Sequence, residues 1–224
     1  MTTMAMEEAM RARHTVRAYT DEPLPAETVE KLNRLIAENN ARHDLKVRLV
    51  LDDTSAFGIA LKLVLAKGVR NYLILAGDKA PDLAERLGYA SADLMLHAQT
   101  LGLNTWWVGG TFKRGAVSKI ADGAEVIGIV AIGYGAVQGK PHKSKRADEV
   151  SSYEGEAPDW FQRGVEAALL APTALNKQAF HIEGNGRTVS IACDNGAFSG
   201  ADRGLVKYHF ELGAGKQNFE WGNE

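Results

Sequence analysis

The stretch Arg13-His-Thr-Val-Arg17, which stands just ahead of Tyr19-Thr-Asp-Glu-Pro23, decides how the rest of this chain is interpreted. Its two arginines lie four residues apart and flank the hydroxyl of Thr15. Guanidinium groups supply charge-assisted donors for a dianionic phosphate, and a short hydroxyl adds one hydrogen-bonding group beside them. On composition alone, an ordinary solvated charged segment is the simpler interpretation, so the choice depends on the other segments.

Length and composition set broad limits on the kind of protein. The 224 residues can bury a proper core, either in one large domain or in two small domains that pack closely. The 26 Lys and Arg residues balance 28 Asp and Glu residues, which argues against a protein that chiefly binds nucleic acid or an anionic membrane. No apolar run approaches the roughly 18 residues of a membrane span. The single cysteine, Cys193, fits a reducing compartment, so we expect a soluble, cytoplasmic protein.

The first part of the chain alternates helices and strands. Proline at residues 23 and 25 predicts a helix start, and the apolar spacing of Val29, Leu32 and Ile36 predicts one buried stripe. Gly102 predicts the end of a second, longer helix. The predicted elements are a helix to about residue 39, strands at 46–51 and 71–76, a helix at 91–101, and strands at 106–108 and 126–134.

Residues 135–146 are glycine-rich and then basic, which indicates a linker or arm, and beyond them the pattern begins again. The predicted elements are a helix from Trp160 to Leu169, a hairpin of strands at 180–182 and 188–191, and a helix at 205–212. Each half thus carries a helix, strands and a histidine-bearing helix in the same order. This order predicts a degenerate tandem duplication, with modules at 1–145 and 155–224 that pack through the helices bearing His97 and His209.

Other chemistries find little support. Cys193 ends a predicted strand, and a buried structural thiol is simpler than a nucleophile. His97 and His209 fall on apolar helix faces, so we interpret them as satisfied core histidines. No His-Glu-x-x-His pair or cysteine cluster predicts a metal site. The glycines of 133–139 follow a strand but precede a basic, proline-containing segment, which does not fit a dinucleotide-binding turn.

Five segments together resemble the nitroreductase family. Arg13-His-Thr-Val-Arg17 is similar to the family's N-terminal signature, which binds the phosphate and ring of flavin mononucleotide (FMN). Residues 101–110 resemble its helix end and flavin-facing loop, residues 130–134 resemble its following strand, and residues 140–146 resemble its basic C-terminal segment. Ala171-Pro-Thr-Ala-Leu-Asn-Lys-Gln178 resembles a family loop that normally follows the first helix, near residue 40. With this loop displaced, the arrangement of the segments resembles that of a family subgroup whose chains are built from two internal modules.

The resemblance implies an α+β fold, with a mixed or antiparallel sheet between helices and two related modules fused in one chain. It also implies a phosphate among Arg13, Thr15 and Lys145 or Arg146, with Arg17 nearer the ring and Gly109-Gly110 against its face. The residues alone also allow simpler interpretations. Gly109 and Gly110 could form a simple turn, and Asn176 could stabilise one. Lys145 and Arg146 could belong to a solvated arm. The expected cofactor-binding residues are Arg13, His14, Thr15, Arg17, Gly109, Gly110, Lys145, Arg146, Pro172, Thr173, Asn176 and Gln178.

The function that the resemblance implies is FMN-dependent oxidoreduction, with electrons passing from NADH or NADPH to a small planar acceptor such as a nitroaromatic or quinone. Such chemistry needs no acid or nucleophile from the protein, because the cofactor supplies the reactive groups. A fused chain could supply both walls of the flavin site, which predicts a monomeric pseudo-dimer. The alternative is a non-catalytic ligand-binding or scaffold protein in which the indoles of Trp106 and Trp107 fill the flavin slot.

Overall fold

The structure is a computed structural model that describes residues 4–58 and 66–222. The first of two sheets is antiparallel, with strand order β1-β2-β4-β3, where β1 is Arg48–Val50, β2 is Tyr72–Gly77, β3 is Asn104–Val108 and β4 is Glu125–Gly133. The helices of this part are α1 (Met6–Ala12), α2 (Ala26–His43), α3 (Leu83–Thr100) and α4 (Arg114–Ile120). Within the described ranges, no helix is long and apolar enough to cross a membrane.

The second sheet is mixed, because its short edge strands run parallel to their neighbours while the central hairpin is antiparallel. Its strands in spatial order are β5 (Ser151–Tyr153), β6 (Phe180–Asn185), β7 (Thr188–Cys193) and β8 (Glu220–Trp221). The helices here are α5 (Ala147–Val150), α6 (Asp159–Ala168) and α7 (Ser199–Ala214). The predicted α+β class, with antiparallel and mixed sheets packed against helices, is confirmed.

One continuous apolar core joins the two sheets. Strands β6 and β7 alternate buried and more exposed residues, as expected when one face of a sheet is covered. The buried face of each sheet meets the helices between them, and the shared core includes Leu73, Leu75 and Val130 from the first sheet, Ile182, Val189 and Ile191 from the second, and Leu94, Leu205 and Phe210 from the helices. The two parts of the chain therefore fold around a common core.

Helices α3 and α7, which carry His97 and His209, pack along each other. Glycines make the close approach possible. A Cβ atom on Gly88 would lie 2.1 Å from the carbonyl oxygen of Ala201, and one on Gly204 would lie 2.0 Å from that of Glu85. Both helices start earlier than predicted, by eight residues for α3 and six for α7. Glycines that lower helix propensity are tolerated here because the helix backbones meet at them.

The remaining differences from prediction are small. Helix α2 continues to His43, β1 is shorter than residues 46–51, and β3 begins two residues before Trp106. Residues 135–146 carry no helix or strand, as expected of an arm. Cys193 ends a strand as predicted, but its side chain is only half-buried. Partial burial raises the pKa of its thiol to about 11, which keeps the sulfur protonated and unreactive at neutral pH.

The interpretation of His97 as a core histidine was wrong. Its side chain is 34% exposed, and its Nε2 lies 3.4 Å from a carboxylate oxygen of Asp93 on the preceding helical turn. Asn39 and Tyr208 also donate hydrogen bonds to Asp93, at 2.7 and 2.6 Å. Burial alone would raise the pKa of Asp93, but these hydrogen bonds outweigh it and lower that pKa. The apolar spacing of this helix predicted a buried His97, but the same helix face also carries Asp93 and is therefore only partly apolar.

Replacing His97 should change how the melting temperature depends on pH. The hydrogen bond to Asp93 raises the pKa of His97 above its usual 6.5, against an opposing effect of burial. Protonated His97 therefore stabilises the fold below pH ~6.5, and that contribution is lost as the pH rises through the raised pKa. The His97→Gln variant should not lose this stabilisation as the pH rises, because glutamine does not titrate. Melting curves from pH ~6 to ~8 test it, and identical pH dependence in the two proteins would contradict the assignment.

Candidate functional site

The Arg13 segment runs from the end of α1 along the start of β3. Arg13 itself has extended backbone angles and closes the helix through a bond from its N–H to Ala9. Thr15 then forms a parallel bridge with Thr105, and the N–H of Val16 donates to the Thr105 carbonyl at 3.2 Å. These backbone bonds hold the segment beside the first sheet, with Thr15 half-buried and Arg17 exposed.

Arg13 is the most unusual side chain of the site. It is only 4% exposed, and within the described residues its guanidinium makes no hydrogen bond or ion pair, with Nε fully buried and unpartnered. Burial lowers its pKa to about 10, so the group remains charged at neutral pH. A buried cation without a carboxylate is destabilising unless an anion pairs with it. The local environment of Arg13 therefore fits an anionic ligand group.

The basic arm crosses this segment. Gly139 has φ of +74°, and a Cβ there would lie 2.9 Å from both the Cβ of His14 and the carbonyl oxygen of Thr15. A side chain at this position would be strained and would collide with the segment. His142 is close enough that its charge, after burial and Arg13, lowers the pKa of His14. The arm and the N-terminal segment thus form one positively charged region.

The loop 171–178 meets the arm from the other side. The backbone N–H of Lys145 donates to the side-chain oxygen of Gln178 at 2.7 Å, and its ammonium donates to the Gln178 carbonyl at 2.8 Å. The side-chain amide of Asn176 donates to the Lys143 carbonyl at 2.8 Å. Gln178 is 1% exposed and also donates to the Leu169 carbonyl, so it ties loop and arm together instead of facing a ligand.

The conformation of this loop is fixed from within. Leu175, Asn176 and Gln178 all have positive φ, which is costly for residues other than glycine. The hydroxyl of Thr173 accepts a bond from the Gln178 N–H, while half-buried Pro172 precedes it. The Asp202 carboxylate accepts the Ala174 N–H at 2.9 Å, and burial raises its pKa to about 6. Asn176 thus occupies a positive-φ position of the turn, while its side chain bonds to the arm.

The two adjacent indoles lie on opposite faces of the first sheet. The Arg17 guanidinium lies 5.3 Å from the centre of the Trp106 ring, and Phe57 stacks on the same indole. The Trp107 indole instead donates to Ser91 of α3 and contacts Phe198 edge-on. Neighbouring strand residues necessarily point to opposite faces. The expectation that both indoles could fill one flavin slot is therefore wrong.

Gly109 already has an aromatic neighbour. A Cβ on Gly109 would lie 2.4 Å from the Phe198 ring, whereas one on Gly110 would come no nearer than 3.9 Å to it. Phe198 stands at the start of α7, so the second part of the chain covers this glycine. Arg146 is exposed and pairs with the Asp148 carboxylate at 2.9 Å. Of the two predicted cations of the arm, Lys145 is therefore the one that the loop 171–178 holds in place, through Gln178.

Three residues of the site were not predicted from the sequence. Phe198 packs on Gly109, Asp202 holds the loop, and Thr105 supports the Arg13 segment. An aromatic residue before a helix, an aspartate in its first turn and a threonine in a strand are all common, so no local signal marks them. In the part of the chain that the structure describes, no group of three or more His, Cys, Asp and Glu is arranged to hold a metal ion.

A protein-family model described as "Putative TM nitroreductase" matches residues 5–214. A crystal structure described as a "putative nitroreductase" from Thermotoga maritima is similar over 97% of this chain and 87% of its own, with 20% identity and a TM-score of 0.72. One of a "putative nitroreductase in complex with FMN" from Exiguobacterium sibiricum covers 66% of this chain and 97% of its own, at 15% identity and a TM-score of 0.52. A third, from Parabacteroides distasonis, covers 65% and 95%, at 19% identity and a TM-score of 0.51. No curated protein matches the chain.

Proposed function

The chain belongs to the nitroreductase family whose model it matches, and from that membership we propose that it is an FMN-dependent oxidoreductase. The electron donor in this proposal is NADH or NADPH, and the acceptor is a small planar molecule such as a nitroaromatic or quinone. The single observation that carries the proposal is the unpaired, buried charge of Arg13 beside Thr15 and the basic arm. A dianionic phosphate is the kind of group that such an environment stabilises.

The proposed roles of the residues follow from their positions. Arg13 and Thr15 bind the phosphate, and Lys145 adds a cation that is anchored by Gln178. Bound FMN supplies the redox chemistry, so the protein only has to bind it, orient it and exclude water. Arg17, which is exposed and held over the Trp106 indole, places a positive charge toward the ring. A cation near one edge of the ring favours its reduced, anionic form.

The proposal extends to the two-module organisation, with modules at 1–145 and 155–224. Its support is that α2, the β1–β2 pair, α3 and β3 follow one another in the same order as α6, the β6–β7 pair, α7 and β8. The Arg13 segment comes from one module and the loop 171–178 from the other, so a single chain can supply both walls. A monomer is then sufficient for cofactor binding. The cytoplasmic location expected from the sequence stays a prediction.

Titration of the purified protein with FMN should give saturable binding by a monomer. The visible absorbance band and the fluorescence quenching of bound flavin measure binding, and light scattering on the loaded protein measures its mass. Anaerobic addition of NADH or NADPH should then bleach the visible band, because the cofactor becomes reduced. Absence of binding at FMN concentrations up to the millimolar range would contradict the proposal, and binding confined to a dimer would contradict its single-chain form.

The contact between Phe198 and Gly109 favours the second candidate, a non-catalytic protein of the same fold. In that case the Phe198 ring permanently covers the surface that the flavin ring would use. Phe198→Ala separates the candidates, because it removes the ring nearest to Gly109 without touching the charged residues. Stronger FMN binding by Phe198→Ala than by the natural chain, which itself binds weakly, would support the second candidate. Tight binding by the natural chain would exclude it.

A further inference from the structure

Two asparagines of this chain, Asn185 and Asn195, are each followed by a glycine. In such a pair the backbone nitrogen of the glycine can attack the side-chain carbon Cγ of the asparagine. The attack closes a cyclic imide, and the side-chain nitrogen leaves as ammonia. Water then opens the imide at either carbonyl, which gives aspartate or isoaspartate. Glycine favours this reaction because no Cβ shields its nitrogen and its backbone rotates freely.

The first of the two asparagines is held in place. Asn185 is the last residue of β6, and it pairs with Thr188 across the hairpin. Its side-chain amide also donates a hydrogen bond to the Glu154 carboxylate. For the attack, the side chain must turn back over its own backbone, which requires these bonds to break in a local opening of the hairpin. The fold therefore protects Asn185.

The second asparagine lacks this protection. Asn195 is exposed, and it lies in neither helix nor strand, between the end of β7 at Cys193 and the start of α7 at Ser199. Within residues 4–58 and 66–222, its side chain makes no hydrogen bond. One contact opposes the attack, because the Gly196 N–H donates to the Asp194 carboxylate and a nearby negative charge disfavours loss of that proton. At 3.3 Å and in an exposed loop, this bond slows the reaction without preventing it.

The loop that holds Asn195 also positions Phe198. The Phe198 ring contacts the Trp107 indole edge-on, with 6.0 Å between ring centres, and is the nearest group to Gly109. The Ser199 N–H donates to the Gly196 carbonyl at 3.0 Å, so the loop leads directly into α7. Isoaspartate would lengthen the main chain of this short loop by one methylene group. Because β7 and α7 fix both ends of the loop, the added length shifts Phe198.

We propose that Asn195 is a site of spontaneous modification, which converts through the cyclic imide to aspartate and isoaspartate, and that the isoaspartate form moves Phe198 away from Trp107 and Gly109. The reaction consumes one water and releases one ammonia, and it needs no enzyme or cofactor. It slowly changes the surface beside Gly109. The proposal does not depend on whether the chain binds flavin.

The first test is mass spectrometry of peptides from protein incubated in warm, mildly alkaline buffer. Trypsin separates the two asparagines, because it cuts after Arg187. The peptide with Asn195 should gain one mass unit at least about tenfold faster than the peptide with Asn185, whose bond to a charged group must first break. The same incubation of urea-unfolded protein is the control, and there the two rates should be similar. Equal rates in the folded protein, or a faster reaction at Asn185, would overturn the proposal.

The second test is NMR of the Trp107 indole N–H in protein aged in the same way. A second Trp107 signal should appear, because the Phe198 ring has moved, and its intensity should follow the isoaspartate content. Asn195→Gln is the matched control, since its longer side chain closes the imide poorly, and it should keep one signal. Asn195→Asp, which has the charge without the extra methylene, should keep the original signal. A single, unchanged Trp107 signal in protein rich in isoaspartate at position 195 would overturn the movement of Phe198.

Discussion

Gly204→Ala should destabilise the protein by about 3 kcal/mol or more, the upper end of the cost of overpacking. The added Cβ would lie 2.0 Å from the Glu85 carbonyl oxygen and 2.5 Å from the Tyr89 backbone nitrogen. Both atoms belong to the backbone of α3, so no change of side-chain rotamer relieves the collision, and the two helices must separate. For a chain of this size the melting temperature should fall by about 6–12 °C, which calorimetry measures.

Gly115→Ala is the matched control, because it makes the same chemical change in another helix. A Cβ on Gly115 would meet no atom within 4 Å. Alanine has a higher helix propensity than glycine, so this variant should be unchanged or more stable by up to about 1 kcal/mol. Opposite signs for the two variants would show that backbone contact requires Gly204. A Gly204→Ala protein as stable as the natural chain would contradict the close approach of α3 and α7.

These glycines also explain which parts of the fold the sequence could predict. Strands β2 and β4 were placed to within one residue at either end, because long apolar runs between turn residues carry their own signal. The first turns of α3 and α7 were missed, since Gly88, Gly200 and Gly204 lower the local helix propensity. Their helical conformation is favoured by contact between the two helices. Contact between segments that are distant along the chain cannot be predicted from a short stretch of a single sequence.

The candidate site likewise contains some residues that the sequence could predict and others that it could not. Short charged motifs marked the Arg13 segment and the basic arm as parts of one phosphate site, and the structure places Gly139 of the arm beside His14 and Thr15. The role of Gln178 was not visible, since its bonds to Leu169 and to the arm form only in the folded chain. The pairing of Arg146 with Asp148, two residues further on, is a local contact that the sequence analysis did not consider. Burial of Arg13 was also not predicted, because arginine side chains are usually exposed. That burial is the feature which most strengthens the case for an anion.

Arg13→Met should weaken FMN binding by one to two orders of magnitude without lowering the melting temperature of the FMN-free protein. A hydrogen bond to a charged group contributes roughly 1.5–3 kcal/mol, and each 1.4 kcal/mol corresponds to about a tenfold change in affinity. Methionine fills much of the same space. It also removes a buried cation that has no ion-pair partner among the described residues, so the FMN-free protein should not become less stable.

Thr15→Ala provides the comparison within the same segment. Its neutral hydroxyl contributes on the order of 1 kcal/mol, so the dissociation constant should rise only about fivefold. The backbone bridge to Thr105 is untouched, so folding should be unaffected. The ordering of the two effects is the decisive result, because a phosphate interacts more strongly with a desolvated cation than with a hydroxyl. A lower melting temperature for Arg13→Met with unchanged FMN affinity would instead make Arg13 a structural residue, and the anion would have to bind elsewhere.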